Sequence, residues 1–459
     1  LMKMFEYEIP GARYQPAVRH GRWNGKVSYF SLAGSTYINL LAEILPVLDR
    51  AGYDIDLDDT RDYTTTFSFD KVSEATFKHK NWPKGHPKEG QPVELSDYQF
   101  EIVNNFLENP QSLQEIATGA GKTLMTAALS YSVESYGRSI VIVPNKSLVT
   151  QTEADYINLG LDVGVYFGDR KEYNKTHTIC TWQSLNNMLK KTKSGEAEVE
   201  IGDFIEGVVC VMVDEVHMAK ADALKTLLTS VFAKVPIRWG LTGTIPKAKY
   251  EAQSIFVSLG NVIGKLSASE LQDQGVLARC HVNIMQLQDG KEFTNYQSEL
   301  KHLLEDSERL DKIASLINGI NSTGNTLILV DRVNAGKEIV SRLPGSVFVS
   351  GATNMNERKE EYDEVATSSN KIIVATYGVA AVGINIPRIF NLVLIEPGKS
   401  FVRVIQSIGR GIRKAEDKDH VQIYDITSSC KFAKRHLTQR KAFYKEANYP
   451  FDLEKLTYR

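Results

Sequence analysis

Residues 117–123 read Ala117-Thr118-Gly119-Ala120-Gly121-Lys122-Thr123, set between the apolar run Ser112-Leu113-Gln114-Glu115-Ile116 and the stretch Leu124-Met125-Thr126-Ala127-Ala128-Leu129. An apolar run, a glycine-containing turn and a helix-forming stretch in that order make a strand-to-helix junction. Gly119 and Gly121 let the backbone curl until its N–H groups converge, and the N-terminus of the following helix adds positive potential. Lys122 can then reach the outer phosphates of a nucleotide, and the Thr123 hydroxyl suits Mg²⁺. Thr118, Gly119, Ala120, Gly121, Lys122 and Thr123 therefore read as a phosphate-binding loop, although the strict pattern has Gly where Ala117 stands. The competing reading is an ordinary glycine-rich turn, and the rest of the chain decides between them.

On the C-terminal side the pattern of apolar run, turn and helical stretch repeats. Apolar runs fall at Ser139–Val143, His177–Cys180 and Gly207–Val213, and a second set at Asn325–Val330, Ser346–Ser350, Lys371–Ala375, Phe390–Ile395 and His420–Tyr424. Near-continuous apolar strands alternating with helices predict parallel sheets covered on both faces. The expected fold class is α/β: two tandem parallel-sheet domains, at about 93–266 and 267–459, the second with a helical tail. A phosphate loop is found in the first alone.

The strand ends carry the chemistry. Asp214-Glu215-Val216-His217 follows Gly207–Val213, at the carboxyl end of a strand, where open α/β sheets bind ligands. Asp214 can join a Mg²⁺ shell while Glu215 orients or deprotonates an attacking water. An isolated Asp-Glu pair is usually a surface feature, but the preceding phosphate loop and apolar strand reverse that reading; His217 alone reads as structural. Thr242-Gly243-Thr244 closes another short apolar run, Ile237–Leu241, and by itself is a turn with hydroxyls. In the second half, Gln406-Ser407-Ile408-Gly409-Arg410-Gly411-Ile412-Arg413 puts Arg410 and Arg413 on one helical face, with Gln406 one turn earlier. Guanidinium groups there suit the charge that develops on a γ-phosphate, and arginines on a domain without its own phosphate loop have a use for such a position.

Bulk composition sets wide limits. A chain of 459 residues at 42% hydrophobic exceeds one ordinary core. No apolar run reaches the about 18 residues that would cross a membrane, and the N-terminus lacks a signal-peptide stretch, so a cytosolic protein is expected. Cys180, Cys210, Cys280 and Cys430 are far apart, which speaks against zinc or a disulfide framework and for small buried side chains. The formal charge of -2 does not advertise a nucleic-acid protein, so any such surface is a local patch.

Residues 1–92 differ from the rest. Short aromatic and β-branched segments surround one helical stretch, Ile38–Ala51, which suggests a small α+β domain. Arg13, Arg19, His20, Arg22 and Lys26 interleave there with Tyr14, Trp23 and Tyr29, and no acid occurs between Gly11 and Ser28. Such a surface neutralises phosphates and stacks on bases; a solvated face with Trp23 in the core is the alternative, and both stand. The Lys-rich stretch 78–90, with its Pro and Gly, reads as a linker closing this domain. Lys190–Glu196 is a candidate projecting loop, or simply a solvated run.

Taken together, over about residues 95–430, these motifs resemble the superfamily 2 helicases and translocases, in which two RecA-like domains hold ATP between them. The resemblance implies ATP and Mg²⁺ as cofactors. It makes Gln99, in Leu95-Ser96-Asp97-Tyr98-Gln99, the reader of the adenine edge, and makes Ala at 117 expected. It assigns Lys122, Asp214, Glu215, Gln406, Arg410 and Arg413 to catalysis, Thr123 and Asp214 to the metal, and Thr242 and Thr244 to coupling between nucleotide and nucleic acid. Pro144 and Ser147 fall in a segment similar to motif Ia, Thr181, Trp182 and Gln183 in the next one, Arg332 in motif IV, and Thr376 and Tyr377 in motif V. All of these would touch nucleic acid, while Gly383 would lie on the nucleotide; Asn385 stands where many relatives have Asp.

The Thr-Trp-Gln-Ser run, the Thr-Gly-Thr turn and Arg13–Lys26 further resemble the UvsW-type helicases of tailed phages. That implies a DNA enzyme acting at forks, four-way junctions and single-strand/duplex boundaries in recombination, replication and repair. It also implies an N-terminal domain that binds DNA through Arg19, Arg22, Trp23 and Lys26, movement from 3′ to 5′, and a monomer. Double-strand translocases and RNA helicases of the same superfamily, and a nucleotide-gated binding protein without unwinding, remain as alternatives.

Overall fold

The computed structural model describes all residues except 61–66, 85, 87, 219–220, 352, 354–359, 362, 366, 380–387, 399–417 and 459. The chain divides into two compact units, one formed by Leu1–Ile116 with Gly121–Lys265 and the other by Ala117–Ala120 with Leu266–Arg459.

The first unit begins with a two-stranded antiparallel ribbon, β1 (Glu6–Glu8) and β2 (Lys26–Ser28), and the helix Leu41–Arg50. Its main sheet contains β3 (Gln111–Ile116), β4 (Arg138–Val143), β5 (Val163–Phe167), β6 (Arg170–Lys171), β7 (His177–Thr181), β8 (Val208–Asp214), β9 (Ile237–Thr242) and β10 (Val262–Leu266). These run in the order β10-β3-β9-β8-β4-β7-β5-β6. From β3 across to β5 every pairing is parallel, and β6 turns back on β5 at the edge. The apolar runs explain this: Ile140, Val141, Ile142 and Val143 are all buried, as strands covered on both faces must be.

The second unit is built on β11 (Arg279–Leu287), β12 (Thr326–Val330), β13 (Val347–Val349), β14 (Ile372–Thr376), β15 (Asn391–Ile395), β16 (His420–Ser428) and β17 (Phe451–Leu456), in the order β13-β14-β12-β15-β16-β11-β17. All its strand pairs are parallel. The chain therefore has the expected α/β architecture of two parallel sheets with a small α+β region at the N-terminus. The tail contains the helix Lys431–Glu446, but it ends in β17 at the sheet edge.

Two local expectations are corrected. The described residues around the Lys-rich stretch are tied together rather than strung out as a linker: Trp82 N–H donates to the Gln91 carbonyl at 2.9 Å, Val93 N–H donates to the Lys80 carbonyl at 2.8 Å, and Trp82 stacks on His86 at 3.9 Å. The candidate projecting loop at Lys190 is the last turn of the helix Trp182–Ser194, stopped by Gly195 in the left-handed region at φ 73°. Lys191 and Lys193 sit where cations complement the helix dipole. The four cysteines are buried, as expected.

Candidate nucleotide and nucleic-acid site

Strand order brings the sequence motifs of the first unit to one edge. β9 lies between β3 and β8, with Glu115 opposite Thr242 and Asp214 opposite Leu241. The carboxyl ends of three adjacent strands therefore carry the glycine loop, the Asp214-Glu215 pair and the Thr242–Thr244 turn. The loop has the conformation that its glycines allow, with φ of 94° at Gly119 and 79° at Gly121, where the helix Lys122–Val133 begins. A Cβ at residue 121 would come within 2.5 Å of the Gln99 amide nitrogen, so glycine is required there on two counts.

Lys122 is buried, and its ammonium lies 2.7 Å from Oε1 of Glu215. A buried ammonium needs a counter-charge, and the γ-phosphate of a nucleotide would compete with the carboxylate for it. Glu215 takes a left-handed backbone, φ 51°, and its N–H donates to Oδ1 of Asp214 at 2.9 Å. A non-glycine residue held in that region is strained, which points to a constrained site. The Gly243 N–H donates to Oε2 of Glu215 at 3.3 Å.

His217 links this pair to the Thr242 turn. Its Nδ1 lies 2.6 Å from Oγ1 of Thr242, and that hydroxyl donates its one proton to the Thr244 carbonyl at 2.7 Å. Nδ1 must therefore carry a proton and donate it. Burial lowers the pKa of His217, with Glu215 opposing and Lys122 adding to the shift, so the ring is held neutral. On sequence alone His217 read as structural; its bond to Thr242 crosses between two strands and has no sequence signal.

The residue types fit ATP·Mg²⁺. A hard cation of this size takes one or two protein oxygens and fills its shell with phosphate and water. Asp214 at a strand end and Thr123 in the first turn after the loop supply that set, and among the described residues no group of three or more His, Cys, Asp or Glu competes as a metal site. Gln99 is buried at the third helical position of Asp97–Glu108, where its Oε1 accepts from the Ser96 N–H at 2.9 Å. That acceptor is engaged in capping the helix, while Nε2 faces Gly121.

The segments expected to bind nucleic acid lie farther along the same edge. β4 and β7 are neighbours, with Val143 opposite Thr181, so Pro144 and the Thr181-Trp182-Gln183 turn lie side by side. Asn145 caps the helix Lys146–Asn158 by accepting from the Leu148 N–H at 3.0 Å; the Ser147 side chain lies outside the described set. Thr181 caps the helix that follows it, Gln183 is exposed, and Trp182 packs on the core with a buried Nε1 that has no acceptor among the described residues. In the second unit Val330 faces Thr376 across β12 and β14, which brings together the starts of the two segments there. Arg332 precedes the helix Val333–Arg342, donates to Gln297 at 3.1 Å and lines a cavity of about 260 Å³ with Glu305 and Glu338. Tyr377 departs from expectation: it is buried and its hydroxyl donates to the Ile395 carbonyl at 3.2 Å, so it packs the sheet. Gly383, Asn385, Gln406, Arg410 and Arg413 lie outside the described residues.

At the N-terminus Arg19 and Arg22 are exposed. Trp23 is half-buried, with Nε1 donating to the Lys26 carbonyl at 2.8 Å, and Lys26 pairs with Glu6 at 3.0 Å.

Comparison with known proteins agrees with this layout. The family described as type III restriction enzyme, res subunit, matches residues 92–247, and the helicase conserved C-terminal domain matches residues 308–415. With the DExH sequence at Asp214–His217 at the end of β8, one strand removed from the strand that leads into the glycine loop, these place the chain among the superfamily 2 helicases, a family of ATP-driven enzymes. Among individual proteins, it resembles the ATP-dependent DNA helicase uvsW of Enterobacteria phage T4, at 25% identity over 96% of this chain and 89% of that one. The DNA 3'-5' helicase XPB of Kineococcus radiotolerans is 23% identical over 78% of this chain and 64% of its own length. Among solved structures, the restriction-modification enzyme LlaBIII shares the fold over 82% of this chain and 32% of that one, at a TM-score of 0.58 and 15% identity.

Proposed function

We propose that this helicase is an ATP-driven DNA motor that opens or branch-migrates forked and four-way junction DNA, in phage recombination, replication and repair. The observation that carries the reading is the shared strand edge. Lys122, Glu215 and Thr242 stand at the ends of adjacent strands, and the Pro144 and Thr181 segments stand at the ends of the next two, β4 and β7. DNA, rather than RNA, is supported by the resemblance to the phage T4 relative, an ATP-dependent DNA helicase.

In this reading Lys122 and Mg²⁺, held by Thr123 and Asp214, neutralise the phosphates; Glu215 orients the attacking water; and Arg410 and Arg413 answer the charge that develops, with Gln406 beside them. Gln99 and Gly383 lie on the nucleotide. His217 and Thr242 pass the state of the phosphate to strand contacts at Pro144, Ser147, Thr181–Gln183, Arg332 and Thr376, which are largely blind to base sequence. Residues 1–92 form the DNA-binding accessory domain, 93–266 the ATP-binding domain and 267–459 its partner domain, in a monomer working in the cytosol of an infected host. Among the described residues no helix is long and apolar enough to cross a membrane.

A second reading, a duplex DNA translocase, draws on the match to the restriction res subunit. Unwinding of forks and Holliday-type junctions, with each strand tailed in turn, tests the proposal beside ATPase stimulation by junctions, linear duplex and RNA. Strand opening at junctions with the strongest stimulation by junction DNA is expected. Strong stimulation by linear duplex without strand opening would move the assignment to the translocase.

A further inference from the structure

The N-terminal ribbon is docked on the element that follows the Thr242–Thr244 turn. After Thr244 the chain runs through Ile245–Ala248 into the helix Lys249–Leu259. The Tyr29 hydroxyl, directly after β2, lies 2.7 Å from the Tyr250 carbonyl oxygen and 2.5 Å from the Ser254 hydroxyl. A carbonyl can only accept, so Tyr29 donates to Tyr250 and accepts from Ser254. Burial pushes the Tyr29 hydroxyl up to about 12, which keeps its proton in place at any working pH. Tyr7 adds a bond to Oε1 of Gln253 at 3.2 Å, and Asn39 one to the Val257 carbonyl at 3.2 Å. Phe5, Tyr29, Leu40 and Ile44 close over Val257 in one small core, with Tyr29 only 2% exposed.

The other end of this element carries the basic loop. β2 begins at Lys26, whose carbonyl accepts from Trp23 Nε1 and whose ammonium is fixed by Glu6, so the turn bearing Arg19 and Arg22 is braced on the ribbon. Hydrogen bonds tie that loop through Tyr29 to the helix Lys249–Leu259, the chain itself runs from the helix through Ile245–Ala248 to Thr244, and hydrogen bonds continue from there to Thr242, His217 and, through Gly243, Glu215. Such a path carries displacement, which a loose tether would not.

We propose that Tyr29 is a positioning residue that fixes the basic N-terminal loop to the helix behind Thr244, so that movement of the Thr242–Thr244 turn during ATP turnover is delivered to DNA held by the N-terminal region. This rests on the reading of the enzyme as a DNA motor. The surface acts as a moving part of the machine, not as a passive anchor.

The test uses the full chain with Tyr29→Phe, which keeps the ring in its core and removes both hydrogen bonds. Two quantities are read: ATPase stimulated by single-stranded DNA, and base pairs of forked duplex opened per ATP. The ATPase should stay within about twofold of the parent chain. Opening per ATP should fall at least about fivefold. Ser254→Ala, which removes one of the two bonds, should fall between. Unchanged opening per ATP overturns the inference, and so does an equal loss of ATPase and opening, which is what a purely structural role gives. If the parent chain hydrolyses ATP but opens no fork, the functional reading itself fails, and this inference with it.

Discussion

The ammonium of Lys122 and Oε1 of Glu215 lie 2.7 Å apart, so the lysine proposed to bind phosphate and the carboxylate proposed to orient water hold each other. In the proposed mechanism, a phosphate arriving at Lys122 would release Glu215 toward water. Glu215→Gln should leave nucleotide binding in place while slowing hydrolysis by about a hundredfold or more, since general-base positioning is lost and charge binding is not. Steady-state ATPase and ATP-induced thermal stabilisation, measured on the same variant, check this. A variant that loses both together would place Glu215 in binding alone.

Thr242 is the acceptor for His217 and the donor to Thr244. Thr242→Val removes both bonds at nearly constant volume. The buried imidazole N–H then loses its acceptor, at a cost of about 1–3 kcal/mol to the local structure. Basal ATPase should be nearly retained, while stimulation by DNA falls by about tenfold, a coupling change of the usual size. ATPase titrated with single-stranded DNA gives the answer.

Much of this was legible in the sequence, for physical reasons. Val208–Val213 is apolar throughout because its strand is covered on both faces, and that run fixed where Asp214 and Glu215 had to stand. The tight loop at 117–121 was legible because Gly119 and Gly121 mark backbone that few other residues tolerate, with φ of 94° and 79°. The neighbours across the sheet were hidden, since pairing of β3 with β9 and of β4 with β7 depends on crossovers that no local pattern encodes. The hydroxyl of Tyr377 and the docking of Tyr29 on Tyr250 and Ser254 were hidden for the same reason: both join residues whose partners are set by tertiary packing. The 78–90 stretch misled because its Pro, Gly and Lys content is that of a linker, while backbone bonds between Trp82 and Gln91 and between Lys80 and Val93 tie its two sides together.

Asp155, on the helix Lys146–Asn158, has its pKa raised by burial to about 6. A carboxyl raised in the folded state stabilises the fold at low pH, and that contribution is lost as pH rises through about 6. Asp155→Asn should therefore stabilise the protein at pH 8, by on the order of 1 kcal/mol for a partly exposed group, and change little at pH 4. Thermal melts of both chains at the two pH values check the sign.

In the second unit Arg440 holds Asp425 through two bonds, at 2.8 and 2.9 Å, and donates to the Gly398 carbonyl at 2.7 Å; Tyr444 completes the group by donating to Asp425 at 2.7 Å. Arg440→Ala leaves Asp425 buried and uncompensated, at a cost of about 3–5 kcal/mol. Limited proteolysis should show early cleavage in 266–459 with the first unit still protected. Equal protection of both units would show that the pair contributes little.

The account stands most directly on Lys122. In Lys122→Ala, ATPase stimulated by junction DNA should vanish, while binding of the same junction, measured without nucleotide, should stay within about twofold of the parent chain. ATPase that persists in this variant would contradict the assignment of the phosphate loop, and with it the motor built around that loop.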